Sequence, residues 1–225
     1  PICDAMSGAG LSLMLTVNGC APAGRLWRKG PLQPGDALIL MRPIGTGVLF
    51  AAAMAGAALP DWIDRALTVM QQSQAPLVAL LAAHGCRACT DITGFGLLGH
   101  LGEMLTPRDD NTGSRTSTRV QLDTAALAKL ALPGALELLS AGHASTLAPA
   151  NGRALALLEG AVSLTERASA ALLQLLIDPQ TCGPLLAALP ADRADSALAA
   201  LHRAGFAEAS LIGLVEETPL HPARG

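Results

Sequence analysis

Hydrophobic positions along the chain fall into two kinds of pattern, short continuous runs and longer stripes with helical spacing. Residues 37–41 and 185–189 are continuous apolar runs bounded by turn residues, which is typical of strands buried on both faces. Between them, Ile63, Leu67 and Met70 recur with helical spacing, so we expect them to form the buried face of a helix. Runs and stripes alternate irregularly, which predicts an α+β fold, a mixed β-sheet covered by helices.

The same reasoning assigns the rest of the chain. Residues 107–118 form the one stretch of low hydrophobicity, and we expect an exposed loop there. Residues 140–165 have no clear period, and we expect a loop with one helix near residues 154–158. The further predicted strands are 11–19, 90–93, 120–122 and 209–215, and the further predicted helices are 47–57, 76–85, 97–105, 127–139 (interrupted at Pro133-Gly134), 165–177 and 191–204.

The composition is that of a compact globular protein and argues against several kinds of partner. Of the 225 residues, 51% are hydrophobic and 15% are charged, with a formal net charge of −3. Without a cluster of Lys and Arg we expect no nucleic-acid surface, and no apolar run reaches the roughly 18 residues that span a bilayer. Five Cys without regular spacing do not form a disulfide framework, so we predict a cytoplasmic protein. The single C-x-x-C, Cys86 and Cys89, lacks the second ligand pair of a zinc site.

Residues 89–105 (C-T-D-I-T-G-F-G-L-L-G-H-L-G-E-M-L) are the stretch with the most chemical content. A short β-favouring segment carrying Asp91 leads into a turn at Gly94 and Gly96, and an apolar helix follows. Strand, glycine turn and helix aim backbone amides at an anion, and an acid just before such a turn can hold the metal that accompanies a phosphate. The residues alone leave a structural alternative open, a buried turn in which the glycines permit close packing and Asp91 caps the helix.

The segment T-D-I-T-G-F-G-L-L-G-H-L-G-E-M resembles the signature of the selenide, water dikinases, also called selenophosphate synthetases. Residues 10–22, 35–49 and 178–190 resemble that family in the same order. Related ATP-binding enzymes of the aminoimidazole ribonucleotide synthetase type share the fold but carry different residues after the Thr-Gly pair. The resemblance implies a last strand of an ATP-binding domain at residues 1–22, a linker at 23–36, a C-terminal synthetase-like domain at 37–217 and a tail at 218–225.

The resemblance also implies an enzyme that converts ATP, selenide and water to selenophosphate, AMP and phosphate, with Mg²⁺ and ATP as cofactors. It implies a homodimer formed through an N-terminal domain, where the family's ATP-binding lysine, further acids and redox-active Cys or Sec lie. No residue here matches those groups, so we expect no catalytic residue in this chain and no activity from it alone. Asp91 is implied as the metal ligand, and the residues implied near phosphate or nucleotide are Thr90, Thr93, Gly94, Phe95, Gly96 and His100.

A second polar turn supplies weaker candidates, namely Asp178, Thr181 and Gly183. In the family this turn continues Ser-Gly-Gly, whereas here it continues Cys182-Gly183-Pro184, which removes a hydroxyl and an amide donor. A purely structural turn is therefore an open alternative at this place. His100 carries a similar alternative, because a histidine on an apolar helical face is commonly a core residue satisfied by a carbonyl.

Two other functions remain open from the sequence. One is a different ATP-dependent synthetase or kinase of the same fold, against which residues 95–103 argue. The other is a non-catalytic remnant domain, which the Cys182-Gly183-Pro184 departure favours. The chain begins at Pro1 rather than Met, which indicates a fragment or a processed chain.

Overall fold

A computed structural model describes residues 14, 16, 18–20, 26–106 and 118–218 of the chain. Its centre is a six-stranded mixed sheet with the strand order β2-β5-β1-β6-β3-β4. Neighbouring strands are antiparallel except for β3 and β4, which run parallel. The strands are β1 (Asp36–Leu40), β2 (Ala88–Asp91), β3 (Thr118–Leu122), β4 (Val162–Leu164), β5 (Leu185–Pro190) and β6 (Ser210–Glu217).

Helices cover the two faces of this sheet, which confirms the predicted α+β class. Every residue of the central strand β1 is buried, as its continuous apolar run predicts. Two short 3₁₀ helices occur at Gly152–Glu159 and Ala191–Arg193. The α-helices are α1 (Thr46–Met54), α2 (Pro60–Gln71), α3 (Ala75–Ala83), α4 (Gly96–Leu105), α5 (Thr124–Lys129), α6 (Ala135–Ser140), α7 (Ala148–Asn151), α8 (Ala170–Ile177) and α9 (Ala194–Arg203).

Alternate residues of the central strands point into two separate hydrophobic clusters. Leu38 and Leu40 pack with residues of α1, α4, α6 and α8 on one face. Ala37 and Ile39 pack with residues of α3 and α9 on the other face. The first cluster is the larger, and it holds the helix that follows the glycine turn at Gly94 against the sheet.

Three predictions of local structure are wrong. Helix α2 buries Ala66 and Val69, whereas Leu67 is exposed, because the helix lies close against α1 with its small residue inward. Strand β4 was not predicted, since three residues are too few to show a period and their pairing with β3 is long-range. Helix α8 begins at Ala170 rather than Thr165, because Ser169 caps it and the amide of Thr165 still bonds to the carbonyl of Leu122.

Some predictions concern parts of the chain outside the described residues. They are the strand at residues 11–19, apart from a few isolated positions, the loop at 107–118 up to Thr118, where β3 begins, and nearly all of the tail at 218–225. In the described residues, no helix is long and apolar enough to cross a membrane. The proposed boundaries at residues 22, 36 and 217 stay predictions.

Candidate functional site

Strand β2, the glycine turn and helix α4 form the centre of the candidate site. Asp91 is the last residue of β2, and its side chain is exposed, while Thr90 and Ile92 on either side are buried. The N-cap of α4 is Phe95, and no side chain caps that helix. Asp91 therefore does not cap α4, which removes the structural alternative that the sequence left open for this residue.

Two glycines allow other parts of the backbone to approach the turn. Gly96 has a φ of +69°, and a Cβ atom there would lie 2.7 Å from the carbonyl carbon of Ile177 at the end of α8. Gly183 is tighter, since a Cβ atom there would lie 1.8 Å from the carbonyl oxygen of Ile92. Both positions need glycine because any side chain would collide with backbone. The segment after α8 therefore packs directly behind the turn.

Asn151 holds the turn from a third direction. Its side-chain amide donates to the carbonyl of Gly94 at 2.8 Å and to the carbonyl of Ile177 at 3.0 Å. Sequence reasoning missed this residue, because it lies in a segment without periodicity far from the turn along the chain. Beside the turn lies a cavity of about 210 Å³, lined by Phe95, Gly99, Glu103, Asn151, Arg153 and Ala154.

Gln180 connects the candidate turn to a second glycine turn, at Gly45 between β1 and α1. Its backbone amide donates to the carbonyl of Thr93 at 2.9 Å. Its side-chain oxygen accepts from the amides of Gly45 at 2.8 Å and Thr46 at 3.1 Å. The sequence did not single out Gln180, although a glutamine between Pro and Thr in a predicted core turn is an available signal of a buried amide that needs partners.

The weaker candidates occupy the interior behind the turn. Asp178 is fully buried, and its Oδ2 accepts from the amide of Val48 at 3.2 Å. Burial raises the pKa of its carboxyl to about 7, although the amides of Val48 and Gln180 favour the charged form. The amide of Thr181 donates to the hydroxyl of Thr46 at 2.9 Å. These groups bind the start of α1, which gives the segment a structural role.

Arg42 binds the segment Cys182-Gly183-Pro184, where this chain differs from the Ser-Gly-Gly of the family. Arg42 is 3% exposed, and its guanidinium donates to the carbonyls of Val69, Gln72, Cys182 and Gly183. Burial lowers the pKa of this arginine, and the four carbonyls provide the hydrogen bonds that a buried cation needs. Cys182 has a left-handed backbone with a φ of 49°.

His100 is buried and bonded to side chains rather than to a carbonyl. Its Nε2 lies 3.1 Å from the hydroxyl of Thr93, and its Nδ1 lies 3.0 Å from Glu103. The ring of Phe95 is half-exposed and tilted against the imidazole, with 5.5 Å between ring centres. Five of the predicted site residues thus lie together around one turn, namely Thr93, Gly94, Phe95, Gly96 and His100.

The residues present suit Mg²⁺ but do not complete a site for it. Among the described residues there is no group of three or more His, Cys, Asp or Glu able to hold a metal ion. The exposed carboxylate of Asp91 is an oxygen donor of the kind that Mg²⁺ prefers, and phosphates usually supply further ligands. The four cysteines within the described residues are free thiols.

A larger cavity, of about 650 Å³, lies beside Leu164 and Arg167, and none of the residues of the turn lines it.

Comparison with known proteins gives this arrangement a family context. Residues 33–128 match the family model for the AIR synthase related protein, C-terminal domain. The chain is 35% identical over 207 residues to the selenide, water dikinase of Pelobacter propionicus, covering 92% of this chain and 56% of that protein. The selenide, water dikinase of Desulfitobacterium hafniense is also 35% identical, over 89% of this chain and 54% of the relative. The chain therefore spans about half the length of the curated relatives it matches.

Solved structures share the fold at low sequence identity. E. coli HypE superposes with a TM-score of 0.58 and 19% identity over 89% of this chain and 49% of that one. The hydrogenase maturation protein HypE has also been solved in complex with ATP, with a TM-score of 0.51, 18% identity and coverage of 86% and 46%. Both belong to the same AIR synthase-like fold, which confirms the fold that the sequence predicted.

Proposed function

We propose that this chain, which is similar to the selenide, water dikinases over about half of their length, is the C-terminal part of an ATP-dependent selenophosphate synthetase. The reaction is the conversion of ATP, selenide and water to selenophosphate, AMP and phosphate. The observation that carries the proposal is the exposed carboxylate of Asp91 at the end of β2, directly before a rigidly held glycine turn.

The turn is suited to phosphoryl transfer because that chemistry depends on positioning and on neutralising charge. Contacts to Gly94 and Gly96 from Asn151 and the end of α8 fix the backbone of the turn. A fixed turn can present backbone amides and the N-terminus of α4 to phosphate oxygens without reorganisation. HypE, which shares this fold, was solved in complex with ATP, and this supports a nucleotide as the ligand of the turn.

Asp91 is the residue of this chain that would hold Mg²⁺. A bound Mg²⁺ supplies charge neutralisation on the transferring phosphates. Since one carboxylate cannot complete an octahedral site, further acids must come from the half of the enzyme that this chain does not match. The same half would carry the lysine and the redox-active residue, so this chain alone is expected to be inactive.

The direct test uses the full-length enzyme. Incubated with ATP, Mg²⁺ and selenide, it should form AMP and selenophosphate in equal amounts, measured by chromatography and by phosphorus NMR. Formation of ADP without AMP would favour another kinase of the same fold. Absence of any selenide-dependent turnover in a folded protein would favour the remnant domain.

The proposal extends to assembly and location. The family resemblance supports a homodimer formed through the N-terminal half, and the five Cys without regular spacing support a cytoplasmic location. Light scattering on the full-length enzyme and on this chain tests the assembly by comparing their oligomeric states. A dimeric full-length protein with a monomeric C-terminal chain is the expected result.

A further inference from the structure

Four polar side chains form a continuous line that ends at the glycine turn. Lys29 Nζ donates to Glu103 Oε2 at 2.9 Å, and the same oxygen lies 3.0 Å from His100 Nδ1. On the other side of the ring, His100 Nε2 lies 3.1 Å from Thr93 Oγ1. His100 is 3% exposed, while Lys29 and Glu103 reach the surface. The line therefore connects a surface ion pair to a hydroxyl in the candidate site.

The chemistry of each group fixes the direction of each hydrogen bond. The ammonium of Lys29 and the ring of His100 hold the pKa of the Glu103 carboxyl below its usual range. A carboxylate can only accept, so the hydrogen between it and the ring belongs to Nδ1. In the neutral ring, Nδ1 therefore carries the single hydrogen. Nε2 then carries a lone pair, and the Thr93 hydroxyl must be the donor to it.

We propose that Lys29, Glu103 and His100 are positioning residues that commit the hydroxyl hydrogen of Thr93 to His100 Nε2. Towards a ligand of the turn, the hydroxyl oxygen of Thr93 can then act only as an acceptor. It can receive a hydrogen bond or face a cation, and it cannot donate to a phosphate oxygen, so phosphate contacts fall to the backbone of the turn. This inference rests on the proposed function for the nature of the ligand, but its hydrogen-bond directions do not.

Nitrogen NMR of the histidine rings tests these directions in this chain without activity. In a sample labelled at the ring nitrogens, His100 should show a protonated Nδ1 and an unprotonated Nε2 at pH 8. The same spectrum contains a control for each tautomer. His84 Nδ1 lies 2.8 Å from the carbonyl of Leu80, and His202 Nε2 lies 2.8 Å from the carbonyl of Ala209. A His100 signal of the His202 type, or one with both nitrogens protonated, overturns the proposal.

Substitution of Thr93 adds a second reading in the same experiment. In Thr93→Val the hydroxyl donor is lost, so the Nε2 signal should move while the Nδ1 signal stays. In Glu103→Gln the new amide can donate as well as accept, so Nδ1 no longer has to carry the hydrogen and signals of both tautomers should appear. An Nε2 signal that is unchanged in Thr93→Val shows that the hydroxyl does not donate, and it contradicts the proposal.

Kinetics of the full-length enzyme test the positioning role. His100→Leu removes both hydrogen bonds, whereas His100→Gln keeps an acceptor for Thr93 and a donor for Glu103. We expect kcat to fall about 10- to 100-fold in His100→Leu, with KM for ATP unchanged, and to recover most of that loss in His100→Gln. Equal losses in the two variants, or none in His100→Leu, contradict the role. An enzyme without selenide-dependent turnover defeats the proposed function instead, and the NMR result then decides the hydrogen-bond directions.

Discussion

The carboxylate of Asp178 accepts a hydrogen bond from the backbone amide of Val48 across 3.2 Å, in the first turn of α1. The side-chain oxygen of Gln180 accepts from the amides of Gly45 and Thr46. Two buried side chains therefore satisfy the free backbone amides at the N-terminus of α1. Helix α4 follows a similar strand and glycine turn, and its N-cap residue, Phe95, gives it no side-chain cap. Of the two similar motifs, the first is completed by the protein's own side chains, and the second is the one suited to a ligand.

Asp178 should make the protein less stable as the pH rises. Burial raises the pKa of its carboxyl in the folded state to about 7, whereas in the unfolded chain it is about 4. Between these values the folded state holds a proton that the unfolded state has lost, so stability is highest at acid pH and falls as pH rises towards 7. We expect the free energy of unfolding in urea to fall by a few kcal/mol from pH 5 to pH 8 through this group, since each pKa unit is worth about 1.4 kcal/mol.

Asp178→Asn is the control for that effect. Asparagine keeps an acceptor oxygen for Val48 but does not ionise, so the fall in stability over the same pH range should be smaller in the variant. Other ionisable groups contribute equally to both proteins and cancel in the difference. Parallel stability curves for the two proteins would show that the Asp178 carboxyl is not perturbed.

The close approach of Gly183 to Ile92 predicts a large cost for a single methyl group. A Cβ at Gly183 would lie 1.8 Å from a backbone oxygen, whereas a Cβ at Gly94 would meet nothing within 4 Å. We expect Gly183→Ala to lose at least about 2 kcal/mol of unfolding free energy and Gly94→Ala to lose well under ~1 kcal/mol. Thermal unfolding of the two variants compares them directly, and similar melting temperatures would contradict the packing described for the turn.

The sequence predicted the sheet, most of its strands and the place of the turn, because those features depend on local patterns. The run at residues 37–41 and the glycines around Phe95 are visible without any partner. The interactions that hold the turn were not predictable in the same way. Asn151, Gln180 and Arg42 each act on residues far away in the chain, and their role depends on which surfaces the fold brings together. The contact between Glu103 and His100 was predictable from the sequence, since residues three apart on one helix are neighbours.

Arg42 predicts a contrast between a buried and an exposed arginine. Arg42→Met removes the donor to four backbone carbonyls; those of Val69 and Gly183 keep a second donor, whereas those of Gln72 and Cys182 lose the donor that the structure shows for them. Each buried acceptor left unsatisfied costs about 1–3 kcal/mol, so with two such carbonyls we expect a loss of at least about 2 kcal/mol. Arg65 pairs with Glu208 at the surface, and Arg65→Met should change stability by less than about 1 kcal/mol. Urea titration of both variants is the measurement, and equal midpoints would contradict the account of Arg42.

Asn151 predicts a local effect on the turn. Asn151→Ala removes the donor to the carbonyls of Gly94 and Ile177, and we expect a loss of about 1–3 kcal/mol with faster amide exchange at residues 94–97. Arg153→Ala lies two residues away on the exposed surface and is the matched control. Unchanged exchange at the turn in Asn151→Ala would show that this side chain does not stabilise it.

The central claim is that Asp91 holds Mg²⁺ against the transferring phosphates, and Asp91→Asn in the full-length enzyme tests it most directly. The substitution keeps the size of the side chain and removes its charge, and the melting temperature should not change because Asp91 is exposed and does not cap α4. Selenide-dependent AMP formation at limiting Mg²⁺ should fall at least about 100-fold, which corresponds to ~3 kcal/mol of transition-state stabilisation. Asp192→Asn, at an exposed acid elsewhere, should keep full activity. A folded Asp91→Asn enzyme with the turnover of the unmodified protein would contradict the account.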